Sequence, residues 1–165
     1  MKGFNFEKNL DHQTQAVNST IGVFNGISLK ARLSVAEQKY SNPALNFLGS
    51  YDYMKNVLRL QELNGIKGQV KSSSKIIDIM METGTGKTYT YTKTIFELNK
   101  QFDIFKFVII VPTLSIKAGT INFLKSESAR QHFKEQYGKS IRLHIVESKK
   151  GKSKKAVMPP AVMSF

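Results

Sequence analysis

A chain of 165 residues with 41% apolar content is long enough for one α/β domain with its own core, which excludes a chain too polar to fold. Cysteine is absent and the three histidines, His12, His132 and His144, have no ligand spacing, so disulfides, thiolate sites and an obvious metal centre are excluded. The 25 Lys and Arg against 12 Asp and Glu give a net charge of +13, which points to a polyanion such as DNA or RNA as partner.

In chain order, Leu10-Asp11-His12-Gln13-Thr14-Gln15-Ala16-Val17 predicts a short amphipathic helix that Asp11 caps, with Ala16, Val17 and Ile21 on its buried side. Residues 22–73 carry weaker signals. Asn25-Gly26 and Ser41-Asn42-Pro43 read as turns, Tyr53 to Leu63 as a helix ended by Asn64-Gly65, and Gly68 to Ser74 as a loop. Ile76-Ile77-Asp78-Ile79-Met80-Met81 is a nearly continuous apolar run, as in a strand covered on both faces. Lys87 to Lys100 then reads as a helix with Tyr91, Ile95 and Leu98 on one side, and Phe105 to Val111 as a second buried strand ended by Pro112. A helix from about Ser115 to Tyr137 and a strand from Ile141 to Val146 continue the alternation, which predicts a three-layer α/β fold with a mostly parallel sheet.

Charge concentrates late in the chain: Lys117 to Lys155 holds 11 basic residues and 3 acids. Met158 to Phe165 is again apolar, with no evident partner, so the ending reads as an interruption and not as a terminus. There is no secretory or organellar leader and no apolar run of about 18 residues. A soluble, cytoplasmic protein without a membrane partner is expected.

The sharpest local signal is Glu82-Thr83-Gly84-Thr85-Gly86-Lys87-Thr88, lying between the predicted strand and the helix that follows. A loop that cradles a triphosphate needs glycines so that successive backbone N–H groups turn inward, a lysine for the β/γ charge and a hydroxyl for Mg²⁺. Gly84, Gly86, Lys87 and Thr88 supply these in order, and the helix beginning at Lys87 adds its N-terminal dipole. Met81 stands where the strict G-x-x-x-x-G-K-[ST] pattern has its first glycine, a departure common in helicase-type motors.

Four segments together resemble the motor motifs of superfamily 2 helicases and, more narrowly, the Res (restriction) subunit of type III restriction-modification enzymes. They are Asn9 to Val17, Leu58 to Ile66, Met81-Glu82-Thr83-Gly84-Thr85-Gly86-Lys87-Thr88-Tyr89-Thr90-Tyr91, and Val111-Pro112-Thr113-Leu114-Ser115-Ile116-Lys117-Ala118-Gly119 followed by His132-Phe133-x-x-x-Tyr137-Gly138. The resemblance implies the first part of a RecA-like P-loop domain: an adenine-reading helix in residues 1–21, a family-specific insertion in 22–73, the P-loop core in 74–148 and a basic tail in 149–165. It implies ATP held by Gln13, Thr83, Gly84, Thr85, Gly86, Lys87 and Thr88, with Lys87 and Thr88 in the catalytic role and Thr88 on Mg²⁺. Thr113 and Lys117 match the motif that touches the nucleic-acid backbone, although a strand end and helix cap would explain them equally well. Lys117-Ala118-Gly119 keeps the cation but loses the acid of the Arg-Glu-Gly usual there.

The implied partners are double-stranded DNA and a modification (methyltransferase) subunit. No D-E-x-H box, arginine finger or nuclease carboxylate cluster occurs in the sequence. Nucleotide binding without turnover is therefore expected of these residues alone, with the cutting domain beyond Phe165. A superfamily 2 helicase of the DEAD/DEAH type without a nuclease, and a truncated basic nucleic-acid-binding fragment without activity, remain alternatives.

Overall fold

The computed structural model of the chain describes residues 6, 7, 9–30, 34–46, 51–67, 75–146 and 161–164. They fall into two units, one of residues 9–103 and one of residues 1–8 with 104–165. No helix among the described residues is long and apolar enough to cross a membrane.

In the unit of residues 9–103, the predicted first helix is α1 (Asp11–Gly22), and its period-3.6 side buries Ala16, Val17 and Ile21 as expected. Asp11 does not cap it. Leu10 holds that position without a side-chain bond, and Asp11 lies in the first turn, where its charge complements the helix dipole. On either side of α2 (Val35–Tyr40), the chain closes a short antiparallel bridge, Lys30 N–H to Ala44 O (2.8 Å) and Asn46 N–H to Ser28 O (2.7 Å). The helix α3 (Tyr51–Leu63) ends where Asn64-Gly65 predicted: Ile66 N–H bonds Gln61 O (2.8 Å) and the Asn64 amide turns back to Leu60 O (2.6 Å). Asn56 on α3 ties down the Asn25 turn through the carbonyls of Val23 (3.1 Å) and Asn25 (2.6 Å).

The helix α4 (Lys87–Phe102) packs on α1, but not by the predicted face. Tyr89, Thr92, Lys93, Phe96 and Asn99 are buried together with Ile95, while Tyr91 and Leu98 are only half-buried. Threonine can be buried here because its hydroxyl finds a bond within the helix: Thr92 donates to Thr88 O (2.7 Å) and Thr94 to Thr90 O (2.9 Å). Burial disfavours the phenolate, so the phenols of Tyr53 and Tyr89 titrate above their ordinary value.

Residues 75–82 form no strand; Ile76 and Met80 are 74% and 98% exposed. An apolar run becomes a strand only when neighbouring strands take up its N–H and C=O groups, and no described segment pairs with this one. The predicted loop at 68–74 and most of the basic tail lie outside the described residues.

The second unit contains β1 (Lys106–Ile109), α5 (Leu114–Lys125), α6 (Glu127–Tyr137), β2 (Arg142–Ile145) and β3 (Ala161–Ser164). The single helix predicted over 115–137 is two. Ser126 has an extended ψ of 137°, its hydroxyl accepts from Ala129 N–H (3.3 Å) as the cap of α6, and it donates to Phe123 O (2.7 Å) at the end of α5.

The sheet also differs from expectation. Its order is β1-β3-β2 and both pairs are antiparallel, with Phe107 opposite Met163 and Met163 opposite Leu143. β1 and β2 thus run in the same direction, as an α/β alternation requires, but β3 lies between them. The apolar end that had no evident partner is the central strand. Phe6, Phe123, His132 and Phe133 form an aromatic cluster in this unit, with Phe6 and His132 4.8 Å apart and Phe6 and Phe123 edge-on at 5.8 Å.

Candidate functional site

The loop between residue 81 and α4 carries two residues that adopt the left-handed region, Gly84 (φ 85°) and Gly86 (φ 84°). A side chain at either is strained, which is why the turn uses glycine. The two differ in surroundings: a Cβ on Gly84 would meet open space, whereas one on Gly86 would collide with the Gln13 amide. Gly86 is also the N-cap of α4, and its carbonyl accepts from both the N–H (3.0 Å) and the hydroxyl (3.2 Å) of Thr90. Thr85 closes the turn by donating its hydroxyl to Glu82 O (2.7 Å).

Lys87, exposed on the first turn of α4, bends back over the loop, and its ammonium donates to the carbonyls of Met81 (2.7 Å) and Glu82. The charge is therefore held at the mouth of the loop by two neutral acceptors. Those bonds are exchangeable for ion pairs with an anion, in which both partners carry charge. Thr88 follows, half-buried, one residue into the helix. Thr83 and Gly84 are exposed.

Across 72 residues of sequence, Gln13 reaches the same loop. It is buried on α1, and its Nε2 donates to Thr85 O (3.0 Å). The preceding residue reaches it too: His12 Nε2 lies 3.0 Å from the same carbonyl. The sequence singles out Gln13, and His12 enters only as one of three histidines without ligand spacing, although it stands in the same motif segment, Asn9 to Val17. Further along α4, the buried Lys93 ammonium is 3.5 Å from the side-chain oxygen of Asn9, which precedes α1 and has a positive φ of 63°.

Beside the loop, a groove of about 1010 Å³ runs between α1 and α3 and along residues 76–82, with His12, Gln15, Asn64, Glu82 and Thr85 on its polar side. Within it the Gln15 amide donates to Asn64 Oδ1, and Asn64 in turn donates to Ser19 Oγ (3.3 Å).

Thr113 and Lys117 belong to the other unit. Thr113 caps α5, its hydroxyl accepting from Ile116 N–H (3.2 Å), and the Lys117 ammonium donates to Val146 O (3.2 Å) just past β2. Both have structural tasks, and among the described residues the threonine O–H and two of the three ammonium hydrogens meet no further acceptor. His132 is occupied in the aromatic cluster. Among the described residues, no group of three or more His, Cys, Asp and Glu side chains is arranged to hold a metal ion.

The family model for the type III restriction enzyme, res subunit, matches residues 8–158. The Res subunit of the EcoPI type III restriction-modification enzyme of Escherichia phage P1 is 52% identical over 99% of this chain, and that of EcoP15I from Escherichia coli is 49% identical over 99%. The StyLTI Res subunit of Salmonella typhimurium is 34% identical over 94%. The chain spans 17% of the length of the first two relatives and 14% of the third.

Proposed function

This chain belongs to the Res-subunit family of type III restriction enzymes, and on that premise we propose that it forms the ATP-binding part of a DNA-dependent motor acting on double-stranded DNA beside a modification subunit. The observation that supports this reading best is the meeting of Gln13 with the Gly84–Thr88 loop, since a nucleotide site needs its base-reading and phosphate-holding groups together.

In this reading the backbone N–H groups of Thr83 to Gly86 would hold the phosphates, the Lys87 ammonium would exchange the Met81 and Glu82 carbonyls for phosphate oxygens, and the Thr88 hydroxyl would help hold Mg²⁺. Gln13 has two amide hydrogens. One is held by Thr85 O, which leaves the other for adenine N7 while Oε1 accepts from the N6 amino group. Bound ATP supplies the phosphoanhydride whose hydrolysis drives the motor. Thr113 and Lys117 contact the DNA backbone, and the net charge of +13 favours the polyanion.

We assign the site to a RecA-like three-layer domain in the cytoplasm, whose water-polarising carboxylate, arginine finger and nuclease come from the remaining length that the relatives possess. The test is ATP hydrolysis by the full-length protein with its modification subunit, with and without duplex DNA. The reading expects a rate that rises on adding DNA. A rate indifferent to DNA would contradict it.

A further inference from the structure

We propose that His12 is a positioning residue for the phosphate loop, acting with Gln13 to hold the Thr85 carbonyl and so to aim the Gly86 N–H; the inference rests on the ATP-binding reading above. Neighbouring residues on a helix project about 100° apart and do not normally face one target. Here they do, because Thr85 O lies against the first turn of α1, 3.0 Å from Gln13 Nε2 on the buried side and 3.0 Å from His12 Nε2 on the exposed side. A carbonyl oxygen only accepts, so His12 makes this contact with the hydrogen on Nε2, and the one oxygen, with two lone pairs, takes both donors.

The consequence is carried by the peptide plane. In a trans peptide the C=O of one residue and the N–H of the next point in opposite directions, and the described chain has no cis bond. Anchoring Thr85 C=O to α1 from two sides therefore turns the Gly86 N–H away from α1. That N–H is one of the donors a loop of this kind offers to phosphate. Gly86 has a positive φ and no side chain to resist rotation of this peptide, so the restraint has to come from outside the loop. Gln13 supplies it from the core. His12 supplies it where solvent would otherwise compete for the oxygen.

The experiment compares His12→Phe, which keeps a ring without the donor, with His12→Gln, which restores an N–H at about the same reach. Both are made in the full-length protein, with Lys87→Ala as control, and a fluorescent ATP analogue and steady-state hydrolysis are the readouts. Loss of one neutral hydrogen bond corresponds to roughly two- to tenfold in affinity. His12→Phe is expected to weaken the analogue and raise KM by about that factor with kcat little changed, and His12→Gln to recover most of the loss. Wild-type affinity in His12→Phe, or equal losses in both variants, would overturn the proposal. His12 is exposed, so neither change opens the core, and His12→Ala serves the same comparison if the phenylalanine variant does not fold. Lys87→Ala at wild-type affinity would instead defeat the ATP-binding reading itself, so the two failures are separable.

Discussion

Gly84 and Gly86 share a backbone conformation and differ in what surrounds them, which lets the cost of strain be separated from the cost of collision. A left-handed φ costs a non-glycine residue about 1–2 kcal/mol. Gly84→Ala carries that alone, because its Cβ enters open space; Gly86→Ala adds a clash with the Gln13 amide. Gly86→Ala is therefore expected to lower the melting temperature more than Gly84→Ala, and to be the one that also releases Gln13. Equal losses from the two substitutions would mean that Gln13 does not press on the loop. At this scale the loop was legible in the sequence because its spacing is covalent: glycine, glycine, lysine and threonine within five residues leave little freedom. Gln13 was legible only through resemblance, since nothing in residues 14–82 says that it folds back. Thr113 matched two readings, and its cap bond, present in the fold, leaves the hydroxyl hydrogen for the other.

Among elements, the buried face of α1 followed from periodicity, whereas that of α4 did not. The rule that apolar residues mark the inner side fails where threonines bond their own helix and a lysine finds an asparagine oxygen. The break at Ser126 was overlooked for a similar reason. A serine in a helical pattern is ambiguous until its hydroxyl is seen to cap the next helix. The buried phenols on α3 and α4 make stability depend on alkaline pH. Burial raises the folded-state values of Tyr53 and Tyr89 above the roughly 10 of an unfolded chain, so the folded state keeps protons that the unfolded chain releases. Stability from these groups is fully present below about pH 10 and is lost as pH climbs from there through the raised values. Melting temperatures taken between about pH 8 and pH 11 should hold level and then fall, less steeply in Tyr89→Phe. A curve unaltered by that substitution would show that its phenol does not stay protonated in the fold.

Over the whole molecule, alternation of apolar runs and helices located β1 and β2 but did not order the sheet. Strand pairing joins residues far apart: Phe107 meets Met163 and Leu143 across β3. No local pattern reveals that the last apolar stretch enters the middle, or that Ile76 to Met81 pairs with no described strand. Charge is likewise a property of the whole, and its concentration between Lys117 and Lys155 lies in a different unit from the phosphate loop. If the Gly84–Thr88 loop binds the triphosphate of ATP, phosphate holding and DNA holding should thus be separable by mutation. The measurement is a titration of ATP and, separately, of duplex DNA against the full-length wild type and Lys87→Ala. Removing a charge-assisted contact of about 1.5–3 kcal/mol corresponds to roughly ten- to a hundredfold in affinity, so ATP should weaken by that factor while DNA binding stays as it was. ATP affinity unchanged in Lys87→Ala would contradict the account.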